Sequence, residues 1–369
     1  MALPLLPKCK PYFANIPDHI PQTLWLVCSA IVLARSTNLN VLKDYLPQLL
    51  ANEKTKPLSH YKRLIRFFRQ DQPNLLVVGI LSFVFRLLKG RFTYLIMDAT
   101  TWQVGKKHIH LLTLCMLFGT TAIPIYWLQL AKKGHSNESE RQQLITQAME
   151  RYQLKGKTLL ADREYIGEGW FRYLVEQGID FVIRLPEGCY RIPIGQAPGA
   201  AYSKLCRQAY RRKRGVIKSF TLNECVLSVV IMKNPQNDEK EPLLYFVSSL
   251  TNKIKISEAY RLRWRIETCF KHLKSQGFNL EDLNFKQDDK ILLLVAIIVM
   301  AYVLSLQAAF EQSTPKLKTY RDGKQSLSIS LFRQGLTKLR YHVQALSVFI
   351  EHLGQITKTL YEAKWLYVQ

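Results

Sequence analysis

Apolar residues recur every three or four positions in "PQTLWLVCSAIVLARS" and "NVLKDYLPQLLANE", which predicts helices through residues 1–90. Ser59 is placed to cap a third helix, "HYKRLIRFFRQ", on which Lys62, Arg63, Arg66 and Arg69 share much of one side. Three short helices with a basic last one fit a helix-turn-helix-like DNA module, or equally a plain bundle with a solvated basic face. The period then changes. "FTYLIMDATTW" reads as a buried strand carrying an acid, followed by "HIHLLTLCMLFG" and "AIPIYWLQLAK" joined by a short "GTT" turn. "SNESERQQLITQAMERYQ" predicts a helix whose first turn suits Asn137 and Glu140 as a capping pair. "KTLLADREY" is a strand ending at Asp162, "EGWFRYLVEQG" a helix closed by Gly178, and "IDFVIRLP" a fifth strand. Strands first, then helix and strand in alternation, predict a mixed α/β sheet.

From Pro186 to about Pro242 the texture differs. Residues 188–223 hold eight Lys and Arg and no Asp or Glu, densest in "YRRKRG". "VIKSFTLN", "CVLSVVIMK" and "LLYFVSSL" read as strands, so this stretch is expected to be a β-rich insertion with a basic surface. A helix holding Glu267 follows, then an apolar helix at 291–310, a basic loop "PKLKTYRDGKQS" and two closing helices to about residue 362. The apolar run is long enough to cross a bilayer. It stands alone, contains Ser305 and Gln307, and is expected to be the central helix of a large core.

Charge narrows the partners. Fifty-two Lys and Arg face 28 Asp and Glu, a net charge of +24, and such an excess favours polyanions, nucleic acid first and anionic membrane second. At 48% hydrophobic residues the chain can build a sizeable core. Seven scattered cysteines, with no CxxC pair or Cys/His cluster, fit a reduced cytoplasmic setting without a disulfide framework or zinc site.

The acids form the candidate chemistry. Asp98 and Asp162 close two apolar strands expected to lie side by side at the sheet centre, and carboxylates so placed overhang a crevice. Two or three acids converging there suit Mg2+ or Mn2+, hard ions that take oxygen ligands. A pair of such ions roughly 4 Å apart can activate a nucleophile and stabilise a leaving oxygen in phosphodiester chemistry. Glu267 is the candidate third acid, and Glu164 is an alternative or added ligand. Each acid also has a plain reading: Asp98 as a turn cap, Asp162 paired with a nearby base, and Glu267 in a helix ion pair with Arg263 or Lys271.

The spacing Tyr260-x2-Arg263-x3-Glu267-x6-Lys274 resembles the signature of the IS4-type DDE transposases without a mismatch, and "RWRIE", "DAT" and "DREY" are similar to that family too. The motif likeness covers about residues 93–280, and the order of elements covers the whole chain. It implies an RNase H-like core with Asp98, Asp162 and Glu267 as catalytic and metal-binding triad, holding two Mg2+ or Mn2+ ions. It also implies DNA contacts from Tyr260, Arg263 and Lys274, set on one helical stripe with Glu267. Arg211, Arg212, Lys213 and Arg214 are the insertion's candidates for DNA backbone contact.

The expected organisation is a helical DNA-binding region at 1–90, core at 91–185, insertion at 186–250, core with the Glu helix at 251–313, and a helical end at 314–369. The resemblance implies cut-and-paste DNA transposition by a cytoplasmic, bacterial enzyme that binds its element's terminal inverted repeats and target duplex as a homodimer, with no membrane partner. Competing readings are a nuclease of the same core that cuts without joining, and a non-catalytic DNA-binding derivative. The chain departs from parts of the family in one respect: the insertion lacks a tryptophan to stack on a flipped base. Tyr190, Tyr202, Tyr210, Tyr245 or Phe246 would have to serve instead.

Overall fold

The computed structural model describes residues 10–88, 92–198, 200–212, 215–236, 238–310, 317–319 and 325–343. The chain folds into two compact units. One comprises residues 1–91, 102–109 and 268–369, and the other 92–101 and 110–267.

The first helices are α1 (His19–Ala34), α2 (Leu39–Leu42), α3 (Leu46–Leu50), α4 (Pro57–Phe68) and α5 (Pro73–Leu87). The second predicted helix is therefore broken: Lys43–Tyr45 wind as a 3-10 turn between α2 and α3. Ser59 does not cap α4. Pro57, whose fixed φ suits the first helical position, starts the helix two residues ahead of it, and Lys56 takes the cap position.

The strands are β1 (Tyr94–Val104), β2 (Lys107–Phe118) and β3 (Thr121–Gln129), then β4 (Thr158–Ala161) after α6 (Glu138–Met149), and β5 (Asp180–Leu185) after α7 (Glu168–Glu176). Gly119, at φ 58°, supplies the left-handed residue that the tight β2–β3 hairpin needs. Pro124 lacks an N–H to give, and β3 is an edge strand where that does no harm. Asn137 and Glu140 make the predicted capping box reciprocally, at 2.9 and 2.7 Å.

Residues after β5 open with helices rather than strands: α8 (Arg191–Gln196) and α9 (Tyr202–Arg211). In α9, Leu205 and Ala209 are buried four residues apart while Arg211 is exposed, a helical pattern that the charge run obscured in the sequence. Then come β6 (Val216–Leu222), β7 (Cys225–Lys233) and β8 (Leu243–Ser248). They are not a separate sheet. One eight-stranded sheet runs β3-β2-β1-β4-β5-β8-β7-β6, parallel at β1–β4 and β4–β5 and antiparallel at β2–β3, β5–β8, β8–β7 and β7–β6.

α10 (Lys253–Tyr260) packs under β4, β5 and β7. α11 (Arg265–Lys274) leads to α12 (Asp288–Phe310), then the hairpin β9 (Leu317–Thr319) and β10 (Gln325–Leu327) inside the expected basic loop, and α13 (Leu331–His342). The second expected closing helix falls outside the described residues.

α12 is the one single helix among the described residues long and apolar enough to cross a membrane, and nearly all of its apolar stretch is buried. It packs against α1, α5 and α13. Ser305 meets its hydroxyl's need by donating to the carbonyl of Ala301 at 2.8 Å. The α12–α13 approach is set by Gly335, where an added Cβ would stand 1.6 Å from the carbonyl oxygen of Ser305. Gly335→Ala is therefore expected to destabilise the fold by about 1–3 kcal/mol or more, because the helices must separate. Gly195→Ala, where no atom lies within 4 Å of the new Cβ, is the control. Urea unfolding of both variants reads the difference.

Candidate active site

β1 and β4 are parallel neighbours in the register Tyr94↔Thr158, Leu95↔Leu159, Ile96↔Leu160. Continuing that register by two residues sets Asp98 level with Asp162. Asp98 is not at the end of its strand as expected, since β1 runs on to Val104, but it lies two residues past the last β1–β4 pair. Asp162 follows the last residue of β4. Each aspartate accepts a bond from the next backbone N–H: Ala99 to Asp98 Oδ1 at 2.9 Å, and Arg163 to Asp162 Oδ1 at 2.8 Å. The plain role of turn cap expected for Asp98 is thus also filled, and these bonds fix the orientation of both carboxylates.

The third acid arrives on a different kind of backbone. The signature does not lie on one regular helix, because α10 ends at Tyr260 and α11 begins at Arg265. Between them the chain winds through three-residue bonds: Arg263 N to Tyr260 O at 3.0 Å, Ile266 N to Arg263 O at 3.2 Å, and Glu267 N to Trp264 O at 3.2 Å. Such tighter winding eclipses side chains three apart, so Tyr260 and Arg263 point to the same side.

All three acids then meet one cation. The Arg263 guanidinium lies 3.3 Å from Asp98 Oδ2, 3.8 Å from Asp162 Oδ2 and 2.5 Å from Glu267 Oε1. The plain i,i+4 ion pair expected for Glu267 is therefore present, as part of a larger cluster. Tyr260 donates its hydroxyl to Asp162 Oδ1 at 3.2 Å, and its ring packs on Phe246 at 4.7 Å. Burial holds the Tyr260 phenol above its usual range. Burial likewise lifts Asp98 to about 6, against the opposing pull of Arg263.

The donor set is chemically right for a hard divalent ion: carboxylate oxygens only, with Asp98 and Asp162 half-buried and Glu267 exposed. Its spacing is that of a guanidinium. Among the described residues, no three His, Cys, Asp or Glu side chains stand close enough together to hold an ion.

Around the triad, two residues matter that the sequence did not single out. Buried Tyr165 brings its hydroxyl to 3.5 Å from Asp98 Oδ1. Arg141, 6% exposed on α6, donates to the carbonyls of Glu164 and Ile166 at 2.9 and 3.2 Å. Tyr165 closes the "DREY" stretch at the second aspartate. Arg141 gave no signal, since an arginine in a polar helix reads as solvated. Glu164, the alternative ligand, pairs with His135 at 2.6 Å.

The remaining expected residues are dispersed. Lys274 ends α11 and pairs with Glu281 at 3.1 Å in the helical unit. Arg211 and Arg212 are exposed at the end of α9, while Lys213 and Arg214 lie outside the described residues. Arg211 also borders a hollow of about 390 Å³ with Arg207, Tyr210 and Tyr245. Of the aromatic residues considered for stacking, Phe246 and Tyr245 are buried, and Tyr202 stacks on Tyr245 at 6.3 Å. Tyr190 packs edge-on to Phe171 at 5.9 Å, and Tyr210 is exposed.

A search of curated proteins by sequence finds no match. Among solved structures, the chain is similar to piggyBac transposase in a cryo-EM synaptic complex with hairpin DNA. The TM-score is 0.52 at 10% identity, over 96% of this chain and 77% of that one. The likeness is one of fold, an RNase H-like core with a mixed sheet. The family profile of the transposase DDE domain matches residues 90–304, more than half of the chain and all three clustered acids. The chain belongs to the transposase DDE domain family, and its enzymatic class is that of a DNA transposase.

Proposed function

We propose that this transposase, of IS4 type by its 260–274 signature, binds the ends of its own element, cuts them, and joins the freed 3′ ends to target duplex DNA. The observation that supports this reading most is the convergence of Asp98, Asp162 and Glu267 on the single guanidinium of Arg263. Three anions gathered at one point need a cation. In this reading the acids supply oxygen ligands to divalent ions, Mg2+ or Mn2+, and Arg263 vacates the space between them. When bound, such ions make water nucleophilic near neutral pH and stabilise the leaving oxygen. The chain's own part is positional. Tyr260 steadies Asp162, and the freed Arg263 fork holds a phosphate beside the scissile bond. Water attacks phosphorus first and the 3′ oxygen leaves as a hydroxyl; that hydroxyl then attacks target phosphorus and displaces the target strand's own 3′ oxygen, which leaves as a hydroxyl. A dimer would let two ends be cut in step.

The direct test incubates purified protein and Mg2+ with duplex DNA carrying the element's ends, and maps nicks, breaks and joined products. Joined products are expected; cutting without joining would make the chain a nuclease. In the same assay Asp98→Asn, Asp162→Asn and Glu267→Gln should each lower cleavage on the order of a thousandfold or more. DNA affinity in a gel-shift titration should stay near wild type.

Asp98 gives a pH test. Its folded pKa, about 6, lies above the unfolded value, so the metal-free fold gains stability as pH falls through about 6 and loses it as pH rises. Asp98→Asn removes this cost. In EDTA the variant should melt above wild type at pH 8, with the gap closing towards pH 5. A gap independent of pH would show that Asp98 is not strained by burial.

The basic run is tested by salt. Replacing Arg211, Arg212, Lys213 and Arg214 with Ala should flatten the log–log salt dependence of binding by about 0.9 for each cation that touches a phosphate. Fluorescence anisotropy across a salt series reads the slope, and an unchanged slope would return the run to a solvated loop.

A further inference from the structure

We propose that Arg141 is a positioning residue that sets the spacing of the two aspartates; this rests on the reading of Asp98 and Asp162 as ion ligands. Arg141 stands in the first turns of α6, nearly buried. Its Nε donates to Ser136 Oγ at 3.1 Å and its Nη2 to the Ser136 carbonyl at 2.7 Å. The rest of the fork reaches across to another segment, giving Nη2 to the Glu164 carbonyl at 2.9 Å and Nη1 to the Ile166 carbonyl at 3.2 Å. The guanidinium also lies over the ring of Tyr165, 5.2 Å from its centroid.

Those acceptors belong to the irregular turn that follows Asp162. The turn is pinned at its start by Tyr165 N donating to Asp162 O at 3.0 Å, and beyond it by Arg141. Tyr165 in turn presents its hydroxyl to Asp98 Oδ1. One buried fork therefore acts on both acids: on Asp162 through the backbone two residues on, and on Asp98 through the tyrosine beneath it. Burying a guanidinium is costly unless its N–H groups are satisfied. Here carbonyls of two segments satisfy it, which ties the start of α6 to the turn. A lysine carries one point charge and cannot reproduce a planar fork. Partners behind ion ligands typically change ion affinity about 10- to 100-fold when removed.

The test uses Arg141→Lys, Arg141→Met and Tyr165→Phe in the full chain. Mn2+ is titrated into each, with free ion read by electron paramagnetic resonance, alongside melting temperature and DNA affinity. Arg141→Met should weaken Mn2+ binding about tenfold or more, Arg141→Lys less so, and Tyr165→Phe measurably, with DNA affinity unchanged. Cleavage by these variants should recover as Mn2+ is raised, while Asp98→Asn stays inactive. A lower melting temperature with wild-type Mn2+ affinity in Arg141→Lys and Tyr165→Phe would overturn the proposal and leave Arg141 a stabilising staple only. Should the Arg141 variants fail to fold, Tyr165→Phe decides: wild-type Mn2+ affinity there overturns it as well. Wild-type Mn2+ affinity in Asp98→Asn and Asp162→Asn is a different result, which removes the ion site itself and the proposal with it.

Discussion

A single guanidinium among three carboxylates is the interaction on which the site depends. Like charges brought that close repel, and in a half-buried place water screens them poorly. Arg263 offsets the repulsion by facing Asp98, Asp162 and Glu267 at once. Its compensation is partial, since burial still holds Asp98 at about 6. The rest of the site can be read as what this meeting requires. The parallel register of β1 and β4 levels the two aspartates. The tight turn at 261–264 swings Arg263 towards them. Tyr260 and Tyr165 each give a hydroxyl to one aspartate.

In "YRLRWRIETCFKHLK", residues 260–274, one acid, Glu267, stands among five Lys and Arg. The bases there have distinct stations. Arg263 faces the acids; Arg265 lies over the exposed ring of Trp264 at 4.3 Å; Lys274 pairs with Glu281. A run of like charge in sequence is thus distributed over different neighbours in space, and only one member enters the cluster.

How far the sequence carried depends on the kind of signal. Apolar period gave the sheet strands and the buried helix at 291–310 because burial on one face, or on all, leaves a repeating pattern. The capping box at Asn137 and Glu140 was legible because its chemistry is local. The two helices after β5 were missed, since eight bases in the stretch masked the alternation of Leu205 and Ala209 with polar residues. A single stripe through Tyr260, Arg263 and Glu267 follows from ideal helix geometry, whereas the winding tightens between α10 and α11. Arg141 could not be found from sequence, because its role comes from carbonyls more than twenty residues away, and backbone acceptors leave no trace in side-chain spelling.

The account's central claim is that a divalent ion and Arg263 compete for the space among the three acids. Crystals of the protein grown with and without Mn2+, measured at the manganese absorption edge, test it most directly. The account predicts anomalous density among Asp98, Asp162 and Glu267 with the Arg263 guanidinium moved out of the cluster. Manganese bound elsewhere, with Arg263 still bridging the three carboxylates, would contradict it.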